Sequence, residues 1–506
     1  MSQQTNTDQN KPPYGMIAIL FIGAFVAILN ETLLNVALPS IMEEFAVNAT
    51  AVQWLSTGYM LVNGILIPAS AFFIQRFSDK KLFITAMSLF TLGTFLASIA
   101  PAFGVLLGAR MIQASGSAIM MPLLMNVMLT AFAVEKRGAA MGMFGLVMIT
   151  APAIGPTLSG WLIEHYSWRM LFDLVLPIAL LTVVFAVFKL KDITPQRAIK
   201  LDFISLVLSS IGFGGLLYGF SSAGEKGWDS SLVYGTIAIG ALALLAFVLR
   251  QLRMDDPMLE FRIYKYPMFA LSSAISIVIA VAMFSAMILM PIYVQTIRGI
   301  SPMDSGLLML PGAIVMGIMS PITGKLFDKY GARVLAVIGL TITVVTSYFF
   351  SRIGMNTAYS TLVLLYTFRM FGMSMVMMPV MTNGLNQLPP INNPHGTAMN
   401  NTLQQVSGAI GSALLITVMN NRTKEKAEEL AADTLANMSA SAAQPSAQAA
   451  ADMQQQIMNE AMLHGINFTF FLSALIAVIA LILAFFIKRV KPHHENQTGK
   501  ELAVKE

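Results

Sequence analysis

The sequence has no cysteine and only five histidines among its 506 residues. That removes disulfide frameworks, thiolate metal sites and cysteine nucleophiles. Of the histidines, at positions 165, 395, 464, 493 and 494, only the last two are adjacent. They sit in a polar tail, where solvation rather than a metal is expected. No G-x-x-x-x-G-K-[ST] segment occurs, so the chain has no phosphate-binding loop with which to hydrolyse ATP. Charge is equally scarce: Asp, Glu, Lys and Arg make up 11% of the chain, against about a quarter in soluble proteins. The formal net charge of +5 does not point to nucleic acid, because the basic residues are scattered through short segments between apolar runs. No pattern of a cleavable signal peptide is present either; the polar start through Lys11-Pro12-Pro13 runs directly into a long apolar segment. An enzyme with a resident cofactor or metal is not expected.

What remains is apolar: 56% of the chain is hydrophobic, far more than a water-soluble core needs. About 20 such residues cross a bilayer as a helix. Fourteen runs of that kind are legible, at approximately 15–40, 52–74, 82–100, 104–131, 137–164, 169–189, 203–221, 231–249, 268–296, 304–326, 333–351, 359–386, 396–420 and 466–488. None alternates as a lipid-facing barrel strand does, so an all-α integral membrane protein is expected. With the N-terminus placed in the cytoplasm, 22 of the 31 Lys and Arg residues fall in inside segments and 7 outside. That bias puts both termini inside, in a multi-pass protein of the cell membrane. Residues 421–464, rich in Ala, Gln and Ser, read as an external loop with one or two short helices or as a mobile linker.

An internal echo divides the chain. Gly324-Lys325-Leu326-Phe327-Asp328-Lys329-Tyr330-Gly331-Ala332-Arg333 lies between spans 10 and 11, and a degraded cousin, Ile74-Gln75-Arg76-Phe77-Ser78-Asp79-Lys80-Lys81, lies between spans 2 and 3. Arg110 in span 4 and Arg369 in span 12 correspond in the same way. The expected organisation is a six-span bundle over 1–190, a linker region 191–266 carrying two inserted spans, a second six-span bundle over 267–490 and a cytoplasmic tail 491–506. Repeats of this kind mark secondary transporters.

Glu31, in the first span, is the sharpest chemical signal: a carboxylate there must be protonated, paired or facing a wet cavity. Arg110 keeps its proton and must find acceptors inside the bundle, with Gln113 one turn away on the same face, unless it snorkels to the interface. Asp173, several residues into span 6, has two readings: an ion pair with Arg169 at i,i+4, or a second proton or cation site. Asp304 follows Ser301-Pro302 as a helix cap. Gly155-Pro156 breaks the fifth span, where a kink and close packing are expected. Methionine numbers 37, dense around Met370 to Met381 in span 12. Thioethers either fill gaps between helices or line an adaptable binding surface.

On these residues the chain resembles the fourteen-span drug:proton antiporters of the major facilitator superfamily, the EmrB/QacA type of multidrug efflux transporter. The motifs that carry the resemblance are Asn35-Val36-Ala37-Leu38-Pro39, Val52-Gln53-Trp54, Arg110-x-x-Gln113, the segment around Gly155-Pro156, and Gly324 to Arg333. It implies the major facilitator fold, two six-helix bundles plus two inserted central helices, in a bacterial, monomeric carrier whose partners are small molecules, protons and lipid. It also implies proton coupling through Glu31, Arg110, Gln113 and Asp173, and a cavity lined by Glu31, Asn35, Trp54, Met120, Met373 and Met377. Gly155, Pro156, Gly160, Gly324, Asp328, Gly331 and Arg333 would then serve the conformational change. The chain departs from the pattern at Gln75 and Ser78, where the first loop motif usually has Asp and Gly, at Ser159, and at Asn30, where the family often places Asp beside the position of Glu31. Export of lipophilic or cationic drugs is the expected function. The alternatives are a dedicated exporter of an endogenous metabolite or lipid precursor, and a passive channel or scaffold.

Overall fold

In the computed structural model the described residues are 14–490, apart from 48, 134–135, 195, 197–201 and 441–446. Among them there is no strand, and fourteen helical segments are long and apolar enough to cross a membrane. The helices are α1 (Tyr14–Phe45), α2 (Ala49–Arg76), α3 (Asp79–Ser98), α4 (Phe103–Ala131), α5 (Arg137–His165), α6 (Met170–Lys189), α7 (Phe203–Lys226), α8 (Ser231–Arg253) and α9 (Pro267–Ile292). They continue as α10 (Pro302–Tyr330), α11 (Ala332–Phe350), α12 (Tyr359–Ser374), α13 (Met377–Leu385), α14 (Asn393–Ala440) and α15 (Ala447–Ala484). Helix is the form lipid permits, because every backbone N–H and C=O is then satisfied within its own segment. Interior prolines occur in α2 (Pro68), α4 (Pro122), α6 (Pro177) and α10 (Pro311 and Pro321); each frees a carbonyl, which lipid tolerates only where neighbouring helices or hydroxyls re-satisfy it. Where Pro291 removes a donor near the end of α9, the chain widens into a π turn over Tyr293–Ile297.

Two apolar cores form. One is built mainly from α1 to α6 and takes in Phe213 and Phe247 of the inserted helices. The other is built from α9 to α15. The halves meet most tightly where α5 crosses α10: a Cβ on Gly324 would lie 2.2 Å from the carbonyl oxygen of Gly138. Only glycine permits that approach of one backbone to another.

The twelfth span, expected at about 359–386, covers Tyr359–Leu385, with a break at Met375-Val376 between α12 and α13. One expectation is corrected. The stretch 421–464 is not a loop carrying short helices, because α14 runs unbroken to Ala440 and α15 already begins at Ala447. Ala, Glu, Lys and Gln are strong helix formers. The ion pairs Arg422–Glu425 (2.8 Å) and Lys426–Glu429 (2.7 Å) add i,i+3 support along the extension.

The inserted pair α7–α8 is closed at one end by Asp202, which accepts from Arg250 Nε at 2.7 Å and Nη2 at 3.1 Å. The bonds from Arg250 bring the Asp202 pKa down to about 2, against an ordinary value of 3.8. A carboxyl depressed in this way stabilises the fold above about pH 4, and the contribution is lost as pH falls through 2. Asp202→Asn should lower the melting temperature at pH 7 by about 2 °C. The gap between variant and wild type should close near pH 2; thermal melts of the two proteins at both pH values check this.

Candidate functional site

The polar groups of the first half are gathered around Arg110, which is fully buried in α4. Helices α1, α2 and α3 supply the side chains around it, and the groups it bonds are neutral. Nη1 donates to Asn30 Oδ1 at 2.7 Å and to Gln113 Oε1 at 2.5 Å. Gln113 passes the chain on, donating through Nε2 to Thr94 Oγ1 at 2.7 Å. The Arg110 guanidinium lies 4.3 Å from the ring centroid of Tyr59, a cation–π contact inside the bundle. The Tyr59 hydroxyl donates to Ser117 Oγ at 2.7 Å, and Ser117 donates to Asn63 Oδ1 at 3.0 Å. Glu31 stands beside this network, half-buried in α1, and its charge acts on both Arg110 and Tyr59. Arg110 Nε has no partner among the described residues. A fixed cation, one carboxylate and a set of neutral amides and hydroxyls therefore share one low-dielectric site. Adding or removing a single proton there changes its net charge by one unit with little water to screen it.

The corresponding arginine of the second half is built differently. Arg369 in α12 is also fully buried, and donates to Ser347 Oγ, to the Ala282 carbonyl at 2.6 Å and to Ser285 Oγ at 3.3 Å. Among the described residues no carboxylate acts on it.

Several residues singled out from sequence lie elsewhere. Asp173 neither joins the network nor pairs with Arg169: it is exposed at the start of α6 and accepts from Ser98 Oγ at the end of α3. Arg169 turns instead to Glu44 at 2.6 Å, which Trp168 Nε1 also reaches at 2.6 Å. Helical spacing alone placed Asp173 next to Arg169, but Arg169 is held by Glu44 across on α1 and by the Ala100 carbonyl at 2.9 Å. Trp54 stacks on Tyr218 of α7, with ring centroids 5.6 Å apart. Met120 and Met373 are buried in the two cores, while Met377 lines a small crevice with Met283, Met381 and Gln404. The side chains of Asn35 and Pro156 lie outside the described residues. Asp304 caps α10 through Ser301, whose Oγ accepts from the Asp304 N–H at 3.0 Å.

Several of the residues expected to serve the conformational change sit on helix crossings. Gly155 admits Thr32 of α1, and Ser159 donates to the Leu33 carbonyl at 2.6 Å, so α5 lies directly on the helix that carries Glu31. A Cβ at Gly160 would meet nothing within 4 Å. Asp328, at the end of α10, accepts from the N–H groups of Gly138 (2.9 Å) and Ala139 (3.0 Å), an N-terminal cap for α5 given across the two halves. Gly331 closes α10 at φ +82°, while Arg333 is exposed. At the corresponding place in the first half, Gln75 of α2 meets His395 Nε2 at 3.0 Å at the start of α14. The motif's acid is not lost there. One residue on from Ser78, Asp79 accepts from the N–H groups of Ile193 (3.0 Å) and Thr194 (2.8 Å), just past α6 and not from the second half.

Comparison with known proteins places this geometry in a family. The model described as Major Facilitator Superfamily matches residues 20–412. The chain belongs to that superfamily. It is a membrane transporter and not an enzyme. It is 47% identical to the "Uncharacterized MFS-type transporter YhcA" of Bacillus subtilis (strain 168), over 98% of this chain and 97% of that one. It is 42% identical to the "Lincomycin resistance protein LmrB" of the same strain, over 95% and 96% of the two chains. The crystal structure of the human organic anion transporter MFSD10 superposes with a TM-score of 0.64 over 94% of this chain and 99% of that one; at 12% identity this speaks for the fold alone.

Sequence reasoning missed Tyr59, which lies against the buried arginine, and Thr94, Ser117 and Asn63, which extend its network. Such residues are too common in membrane helices for the sequence to single them out. It also missed His395, which meets Gln75 only because α2 and α14 come together.

Proposed function

We propose that this transporter exports lipophilic or cationic compounds across the cell membrane, driven by protons entering the cell. The observation that carries the reading is one half-buried carboxylate standing beside one buried, hydrogen-bonded guanidinium in the first half, Glu31 near Arg110. Its absence around Arg369 supports a single coupling site. In this mechanism Glu31 takes a proton from outside when its cavity faces outward. Neutralising Glu31 leaves the Arg110 charge without a counter-charge, which favours rearrangement of the Asn30–Arg110–Gln113 contacts. The bundles 1–190 and 267–490 then rock about their interface, the proton leaves to the cytoplasm, and the empty carboxylate attracts the next cationic substrate. Both termini are cytoplasmic, as the Lys and Arg bias supports. On that orientation the Asp328 cap on α5 and the Gln75–His395 contact hold the cytoplasmic end closed. A proton entering down a potential of about 100 mV supplies about 2.3 kcal/mol before any pH difference is added. The similarity to a lincomycin resistance protein over nearly the full chain favours a toxic exported substrate over an endogenous one.

The test is ethidium efflux from cells or movement into everted vesicles, with ATP held constant and an uncoupler added. Efflux should fall to the passive rate. Persistence at full rate would sink the proton-driven reading.

A further inference from the structure

The inserted helix α7 touches both halves at once. On the first-half side, α7 is seated against α2: a Cβ on Gly64 would lie 2.0 Å from Leu217 Cδ1, and Tyr218 stacks on Trp54. On the second-half side, the indole N–H of Trp228, just past α7, donates to Thr417 Oγ1 of α14 at 2.5 Å. Between these contacts the three helices leave a crevice of about 100 Å³. Thr57 and Met60 of α2, Tyr218 and Ser221 of α7, and Gln405 and Ser412 of α14 line it. Met60 is 44% exposed, so the crevice is reached from outside the packed core.

We propose that this crevice is a binding subsite for the uncharged, ring-bearing part of the exported compound. The proposal rests on the export reading above and names what the substrate must carry besides charge. No lining residue is ionisable at neutral pH, so an ion driven in would be desolvated with no counter-charge, whereas a neutral group loses little. The thioether of Met60 and the Leu217 side chain offer an apolar, adaptable wall for a ring. Among the described residues neither the Tyr218 hydroxyl nor the Gln405 amide makes a hydrogen bond, which leaves both to read a polar substituent on the ligand. At about 100 Å³ the crevice is smaller than the cavity of about 150 Å³ that encloses benzene, so it takes the edge of one aromatic ring or a few methylenes, the rest of the ring lying at the open mouth by Met60. It cannot enclose a whole drug.

The walls come from α2 in one half and α14 in the other. Any rocking of the halves therefore changes the shape of the crevice and its affinity. A ligand bound there biases one conformation over another, which coupled transport requires. The cationic part of the same molecule would be met at Glu31, so two subsites of different chemistry explain a preference for amphiphilic compounds.

The test uses the full chain in lipid nanodiscs with 1-N-phenylnaphthylamine, an uncharged ring compound whose fluorescence rises on binding; signal from empty nanodiscs is subtracted. Ser221→Phe fills the crevice from α7 and Ser412→Phe from α14. Each should weaken binding about tenfold or more relative to wild type, and ethidium, whose uncharged phenyl ring enters the same crevice, should displace the probe competitively. If either variant fails to reach the wild-type melting temperature, Met60→Phe at the exposed mouth replaces it. Wild-type affinity in the folded variants overturns the subsite, as does failure of saturating ethidium to displace the probe or the absence of saturable binding to wild type. The uncoupler assay separates the two readings. Energised ethidium efflux without probe binding removes the crevice alone, and probe binding without energised efflux removes the export reading.

Discussion

Glu31→Gln is expected to abolish uphill export while leaving a folded carrier in the membrane. Glutamine keeps the size and hydrogen-bonding reach of the acid but cannot take up or release a proton. Arg110 and Tyr59 lose the charge that acts on them, whereas the direct bonds from Arg110 to Asn30 and Gln113 remain. The bundle should therefore persist with its arginine still bonded. The measurement is substrate accumulation in everted vesicles under an imposed pH gradient, compared with downhill exchange when no gradient is present. Accumulation should fall to the passive level, and Glu31→Asp should recover part of it because a carboxyl returns, one methylene shorter. A Gln variant that still builds a gradient would place the proton elsewhere. Asp173 would be a poor second suspect, being exposed and bonded to Ser98 away from the network.

Arg110→Lys is expected to bind substrate nearly as well as wild type and to transport it slowly. Lysine keeps the charge, but its shorter side chain does not carry the ammonium out to where Arg110 Nη1 bonds both Asn30 and Gln113, and it has no planar group to lie over the Tyr59 ring. Losing one charge-assisted hydrogen bond costs about 1.5–3 kcal/mol, a change of about 10- to 100-fold in the equilibrium it supports. If that equilibrium is between the conformations of the cycle, turnover drops by a comparable factor while equilibrium binding does not. Pairing binding with transport rate on one purified preparation reads both. Had Arg110 been an interfacial anchor, Lys would serve equally well; its complete burial already argues against that role. Normal transport in the Lys variant would remove Arg110 from the coupling network.

The class of the protein was fully legible in its composition. With 11% charged residues and fourteen apolar runs, lipid is the only solvent that suits the chain, and lipid admits only helices and closed barrels. The isolation of Glu31 and Arg110 in apolar spans marked them without any structure, because ionic groups are too costly there to be incidental. Contacts between helices distant in sequence were decided by the tertiary structure alone. Spacing along a helix put Asp173 four residues from Arg169, yet Arg169 turns to Glu44 across the bundle, since a side chain at a helix end reaches neighbours that periodicity does not see. Trp54 read as a cavity residue, but the inserted α7 supplied it with Tyr218. The helical continuation through 421–440 was hidden because a polar, alanine-rich stretch reads as a loop when apolarity is the criterion for a span, although the same residues favour helix strongly. The seating of α7 against α2, with Trp228 reaching α14, follows from Gly64, Leu217 and Thr417, residues ordinary in any membrane helix. Their meaning depends on which faces meet, and that is set by the packing of whole helices rather than by any local pattern.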